Sequence, residues 1–442
     1  MTHKYPLIAA GVAAALGGGY VQAAAPTIAQ AAAATNTMVI AGSSAAKDGI
    51  INGIENDICG SSANTLLVTS SGGTKNFFAL SCNVAQAIGT NISNGELVTI
   101  YYRNEGGSVV GALPIASSHT ILRMNLADAS CTGSGLTATC TINGTTSTNG
   151  PNDSWTGAVI ADNVDLGVTD VEPGVLTGAN YPTPYSAAAF GSASTAQMKA
   201  LNHTRLYQQV FGLAVNNNSA NLPATINLTR ESAANILLHN YTNWNKVPDA
   251  LTGNPIASAS VPITLVNREA GSGTRAGANL YFLLYQCGST SALSPATGNF
   301  STADELVAVN GTTGAIGYTV VDQLLKPSNA TSWTNLVLAT INGVTPSNLA
   351  AATGQYDYWY EATTILNPGT AGATLDLANF VQTDLPKISD APNSPAINAI
   401  PGIQGNVATV PLSDNGAAGT SKVYINPFTR SGTSCNVPAE QN

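Results

Sequence analysis

Two rhythms run along the chain. Apolar and β-branched runs at 38–40, 97–102, 120–126, 164–170, 206–216, 263–266, 311–321 and 356–366 read as strands. Between them, apolar residues return at the three- and four-residue spacing of one helix face. Ile50, Ile54 and Ile58 follow this spacing, with Asp48 in the first turn, as do Ala233, Ile236 and Leu237 after a capping Thr229. The latter helix is expected to end near 240–244. Leu280, Leu283, Leu284 and Cys287 predict a third helix, and 375–381 a short one. Strands alternating with helices predict an α/β fold with largely parallel sheets. The runs at 206–216 and 356–366 suit buried strands crossing between layers. Segment 130–155, rich in Gly, Thr and Asn, predicts a surface hairpin insertion, and 172–194 a polar loop. No repeat of fixed period is present.

The pattern breaks most informatively at 261–285. A strand leads into Arg268, then Gly271-Ser272-Gly273-Thr274, then a helix. The first N–H groups of a helix have no partner within it, and that end of its dipole is positive, so an oxyanion fits there. Glycines permit close backbone approach, and Ser272, Thr274 and Arg268 can add donors. A strand, Gly/Ser turn and helix also open the chain, at 38–58. Each turn alone reads equally as a plain helix cap.

Composition narrows the class. The chain has 442 residues, 44% hydrophobic and only 9% charged, with net charge −9. An acidic chain (pI ≈ 4.8) gives no electrostatic case for nucleic-acid binding, although a local site built from donors can still hold an anion. Lys4, the apolar stretch 6–20 and the small-residue sites Val21-Gln22-Ala23 and Ala29-Gln30-Ala31 predict an export signal within 1–31. No later run is long enough for a membrane span. Six cysteines in an exported chain predict disulfides. The pairing read here is Cys59–Cys82, Cys131–Cys140 and Cys287–Cys435, out of 15 possible connectivities for six cysteines. No C-x-x-C occurs and the four histidines are scattered, so no metal site is expected.

The order of motifs carries more than any one of them. The turn Ala41-Gly42-Ser43-Ser44, the run Asp165-Leu166-Gly167-Val168-Thr169-Asp170, the Thr242-Asn243-Trp244 ending, the loop Arg268–Thr274 and Gly314-Ala315-Ile316-Gly317-Tyr318 occur in sequence. Together they resemble the phosphate-type class II periplasmic substrate-binding proteins of ABC transporters. The resemblance implies a two-lobed α/β fold joined by two crossing strands. Lobe one would be 38–210 plus 361–442, and lobe two 216–356. It further implies phosphate or a similar oxyanion in the cleft, delivered to an ABC-transporter permease. By position, its contacts would be Ser43, Ser44, Ala45, Gly107 and Ser108 from lobe one and Arg268, Ser272, Gly273 and Thr274 from lobe two. Asp170 would be the acceptor. A carboxylate tolerates an oxyanion that still bears a proton, so hydrogen phosphate is preferred over sulfate. The chain departs from the family at Ala270, where an aspartate usually steadies the arginine.

Two other readings remain. One is an extracellular surface, matrix or filament protein retaining the fold; the other is a secreted phosphatase-like relative. No G-x-S-x-G, P-loop, H-E-x-x-H or motif-flanked Cys–His pair occurs, so no enzyme and no cofactor are expected.

Overall fold

A computed structural model describes residues 24–72, 76–144, 154–182, 187–294, 299–325, 333–386, 402–406 and 425–441. Most of the expected export signal, 1–23, lies outside the described residues. The strands that matter here are β1 (Asn36–Gly42), β2 (Leu66–Gly72), β3 (Phe77–Asn83), β4 (Leu97–Arg103), β5 (Thr132–Ser134), β6 (Thr137–Asn143), β7 (Leu166–Thr169), β8 (Thr204–Asn216), β9 (Thr264–Leu265), β10 (Ala315–Val320) and β11 (Trp359–Leu366). The helices that position the site are α1 (Lys47–Gly53), α2 (Val109–Ser117), α3 (Arg230–Leu237), α4 (Gly273–Leu283), α5 (Thr302–Asn310) and α6 (Gly372–Thr383).

One hydrogen-bonded ladder runs β9-β10-β8-β11-β7-β1-β4-β3-β2-β6-β5. The two lobes are its two ends, and the long strand β8 belongs to both. Its first half pairs with β11, and residues 211–215 pair with β10. Every residue of β8 from Leu206 onward is buried, as a strand covered on both faces must be. β11 crosses beside it and continues antiparallel to β7. At about 3.3 Å per residue, the thirteen residues of β8 span roughly 40 Å. The crossing pair expected at 206–216 and 356–366 is therefore present.

The sheet is mixed rather than largely parallel. β1 is flanked in parallel by β7 and β4, and β9 runs parallel to β10. The lobe then extends through an antiparallel hairpin of β2 and β3, which the reading of the sequence missed. β2 in turn pairs with β6, so the expected surface insertion is an extension of the main sheet. Leu66, Val68, Phe77 and Ala79 turn inward onto Trp155 and Tyr101, and this apolar face pins the register.

Two helices end earlier than their apolar spacing suggests. α4 stops at Leu283, because Leu284 adopts a left-handed conformation (φ 53°) that caps it. Cys287 therefore lies beyond the helix, held by its disulfide to Cys435. α3 stops at Leu237, and Trp244 begins a separate turn in which its indole N–H donates to the Gly314 carbonyl at 2.9 Å. All three disulfides pair as expected. No helix among the described residues is long and apolar enough to cross a membrane.

Candidate functional site

The site begins where β1 ends. Gly42 has φ +131°, and a Cβ there would meet the Val168 carbonyl and lie 3.1 Å from the Gly111 Cα. This close approach lets the Ser43 N–H donate to Val168 at 2.8 Å, laying the turn over the end of β7. Asp170 stands one residue past that end and is 1% exposed. The Ser43 hydroxyl donates to its Oδ1, and the Ser108 hydroxyl donates to Oδ2 at 3.1 Å. Ser108 also accepts the Asp170 N–H at 3.0 Å, so carboxyl and loop hold each other. From the opposite lobe, the Thr274 hydroxyl reaches Oδ2 at 3.5 Å.

Ser108 owes its position to a buried scaffold. At the end of β4, the Arg103 guanidinium lies 4.8 Å from the ring centres of both Phe77 and Phe190 and donates to Glu105, in the loop that follows, at 2.9 Å. The Trp155 indole N–H donates to the same carboxylate oxygen at 2.8 Å. Arg103 and Glu105 thus brace the loop. Trp155, which closes the 130–155 segment, ties that segment to the site.

Arg268 is 1% exposed, and each nitrogen of its guanidinium is engaged. Nε donates to the Asn299 carbonyl (3.1 Å), Nη1 to the Thr302 hydroxyl (3.0 Å), and Nη2 to the Phe300 carbonyl (3.1 Å) and the Ser44 hydroxyl (3.3 Å). Backbone carbonyls of Asn299 and Phe300 therefore steady the guanidinium. Ser44 lies across the lobe boundary and also accepts the Thr302 N–H at 3.2 Å. Ser272 caps α4 by accepting the Arg275 N–H at 3.2 Å. The Gly271 carbonyl accepts the Val109 N–H from the other lobe at 2.9 Å.

Burial dominates the electrostatics. It raises the Asp170 carboxyl above its ordinary range, opposed by the Ser43 hydrogen bond, the charge of Arg268, and the Ser108 and Thr274 hydroxyls. Glu305 is pushed up to about 8 by burial, with the Arg268 charge and the Tyr318 N–H pulling it down. Its Oε1 accepts that N–H at 2.7 Å, while Oε2 has no partner among the described residues. A folded value above the ordinary 4.5 means the unfolded chain ionises first as pH rises, so stability is full below 4.5 and drains toward about 8. Glu305→Gln is expected to flatten the fall of melting temperature across that window. Thermal melts at stepped pH read this directly, and an unchanged slope in the variant removes Glu305 as its source.

All ten residues named from the sequence lie at this junction. Ser43, Ser44, Ala45, Gly107 and Ser108 come from one lobe with Asp170, and Arg268, Ser272, Gly273 and Thr274 from the other. Each is buried. Gly107 lies against the glycine-rich loop: a Cβ on it would be 3.1 Å from the Ser272 Cα. Other contributors were missed. Thr302 begins α5, whose start was legible as the capping box Ser301-x-x-Asp304. Asn180 accepts the Gly271 N–H on its carbonyl at 2.8 Å, and its side-chain oxygen accepts from Asn279 at 2.7 Å. It sits in the segment read as an uncommitted polar loop, and no local signal marks it.

A clamp of this geometry can surround a small oxyanion with hydroxyl, guanidinium and backbone donors while offering one carboxyl acceptor. A family model for the PBP superfamily domain matches residues 167–384, just under half of the chain. The matched segment contains Asp170, the whole of β8, Arg268 and α4, and it stops short of the first turn at Ser43. A Clostridium perfringens protein described as a phosphate ABC transporter substrate-binding protein with bound phosphate aligns over 79% of this chain and 96% of its own, at 13% identity and TM-score 0.43. A phosphate-binding protein from Stenotrophomonas maltophilia covers 61% and 80% at 15% identity (TM-score 0.35). An ABC-type phosphate transport receptor from Vibrio cholerae covers 50% and 75% at 18% identity (TM-score 0.31). No curated protein matches the sequence.

Proposed function

We propose that this protein is an exported solute-binding protein that closes its two lobes on phosphate and presents it to an ABC-transporter permease. The observation carrying this reading is Asp170, buried beneath hydroxyls from both lobes and facing a fully anchored Arg268. Ser43, Ser44, the Ala45 N–H, Gly107, Ser108, Ser272, Gly273 and Thr274 complete the donor set. Binding and release without chemical change suit a site whose groups are all donors but one.

Calorimetry or thermal shift with phosphate, sulfate and arsenate tests the reading. A ligand at 100 times its Kd adds about 2.7 kcal/mol to stability, enough to move a melting curve. No shift with any of the three rejects it. Asp170→Asn is expected to narrow the preference for phosphate over sulfate, because the amide can donate to a fully ionised oxyanion that the carboxylate repels. Equal affinities for the two anions in the parent protein remove this role from Asp170.

Export is part of the same proposal, and three disulfides suit an oxidising compartment. The helix Ile28–Ala32 favours cleavage at the earlier site, after Ala23. Ala31 is buried, and its carbonyl accepts the Thr99 hydroxyl at 2.9 Å, a hydrogen bond that the mature protein keeps only if Ala31 stays in the chain.

A further inference from the structure

The C-terminal stretch 425–441 straddles the boundary between the lobes. It lies along the crossing strands, where the Arg430 guanidinium donates to the Asp357 carbonyl at 2.7 Å and the Trp359 carbonyl at 3.1 Å. Its Thr429 hydroxyl accepts from Arg205 Nη1 at 3.1 Å, at the lobe-one end of β8. Two neighbouring residues then take hold of opposite lobes. The Ser434 N–H and hydroxyl both donate to the Glu172 carboxylate, the N–H at 2.9 Å, and Glu172 lies two residues past Asp170 in lobe one. Cys435 is bonded to Cys287, in the loop that leaves α4 in lobe two.

Direct hydrogen bonds follow the same seam. Gln286 Nε2 donates to the Thr177 carbonyl at 2.8 Å, and the Tyr285 hydroxyl accepts the Ala179 N–H at 2.8 Å. The elements joined here are the two that carry the anion clamp: the segment after Asp170, and α4. At 1.5 Å per residue, the eleven residues of α4 place the tie about 16 Å from the glycine-rich turn. A disulfide keeps its Cα atoms within about 7 Å, so Cys287 cannot move away from Glu172 without dragging an anchored segment with it. This disulfide is also the most open of the three. Cys435 is exposed and Cys287 half-buried, whereas Cys59, Cys82 and Cys140 are each at most 1% exposed. Thiol–disulfide exchange needs access to sulfur, so a reductant meets this bond first.

We propose that Ser434 and Cys435 form a strap that limits how far the lobes open, and that a dithiol reductant releases it. The dithiol delivers two electrons and two protons, leaves thiols on Cys287 and Cys435, and becomes a disulfide itself. With the strap intact an oxyanion between the lobes leaves slowly; with it cut the lobes part further and the anion leaves faster. This effect on release rests on the anion-site reading above; the limit on opening does not.

The test is small-angle X-ray scattering of the full chain without phosphate, paired with stopped-flow dissociation of phosphate. The oxidised protein is compared with protein reduced by dithiothreitol and capped with maleimide, and with the Cys287→Ser/Cys435→Ser double variant. Mass spectrometry is expected to find caps on Cys287 and Cys435 before the other four cysteines, and earlier capping elsewhere overturns the selective release. The radius of gyration is expected to rise when the bond is absent, and phosphate dissociation to quicken by about 10-fold or more. Glu172→Ala frees the strap from lobe one while keeping every disulfide. It is expected to give the same widening, and it carries the test should the double variant fail to fold. An unchanged radius in both the reduced protein and Glu172→Ala overturns the strap. A wider protein with the parental dissociation rate overturns its part in release. Absence of phosphate binding in every form rejects the anion site, and the scattering then decides the strap by itself.

Discussion

Arg268→Ala should cost phosphate affinity by ~1.5–3 kcal/mol, roughly 10- to 150-fold, the usual worth of a charge-assisted hydrogen bond. The expectation rests on how tightly the guanidinium is anchored. Carbonyls of Asn299 and Phe300 and the hydroxyl of Thr302 fix its plane, so little ordering remains to be done on binding. Removing the cation also leaves Glu305 buried without its favourable charge. The variant must therefore be checked by thermal melting as well as by calorimetry. Arg268→Lys separates the two effects: it keeps a charge near Glu305 but loses the planar fork. A folded Arg268→Ala protein with parental phosphate affinity would remove this residue from the site.

Gly273→Ala is the other large effect expected. A Cβ on Gly273 would come within 2.6 Å of Asp170 Oδ2 and closer still to the Ser108 hydroxyl oxygen. Both neighbours belong to the opposite lobe and are held by each other, so neither can yield without disturbing the acceptor itself. Overpacking of this kind costs about 1–3 kcal/mol, and here it falls on the closed arrangement rather than on either lobe alone. Phosphate affinity should drop by about 10-fold or more while the melting temperature measured without phosphate changes little. Calorimetry beside a thermal melt reads both. Parental affinity in a folded Gly273→Ala protein would mean that the lobes need not meet at this glycine.

Much of this was legible from local pattern. The β8 run, the Thr229 cap and the two Gly/Ser turns each follow from spacing within a few residues. What escaped depends on partners far away in sequence. The β2–β3 hairpin escaped because its register is decided by packing against β4 and β6. The parallel bias was over-read for the same reason: the hairpin turns an alternating βα pattern into a mixed sheet. The end of α4 was missed because apolar spacing continues through Leu284, whose left-handed backbone no periodicity reveals. At the site, motif order located Ser43, Asp170 and Arg268. Asn180 gave no sign, since an asparagine in a polar loop looks the same whether or not it braces a site.

The long strand β8 has a mechanical meaning. A connection made of loose loops is a pivot, in which a few residues absorb the whole rotation. Here the connection is a beam, bonded to β11 along one length and to β10 along the next. Any bending between the lobes is shared along the ladder as a small twist per residue, so stiffness belongs to the whole strand and no single joint sets it.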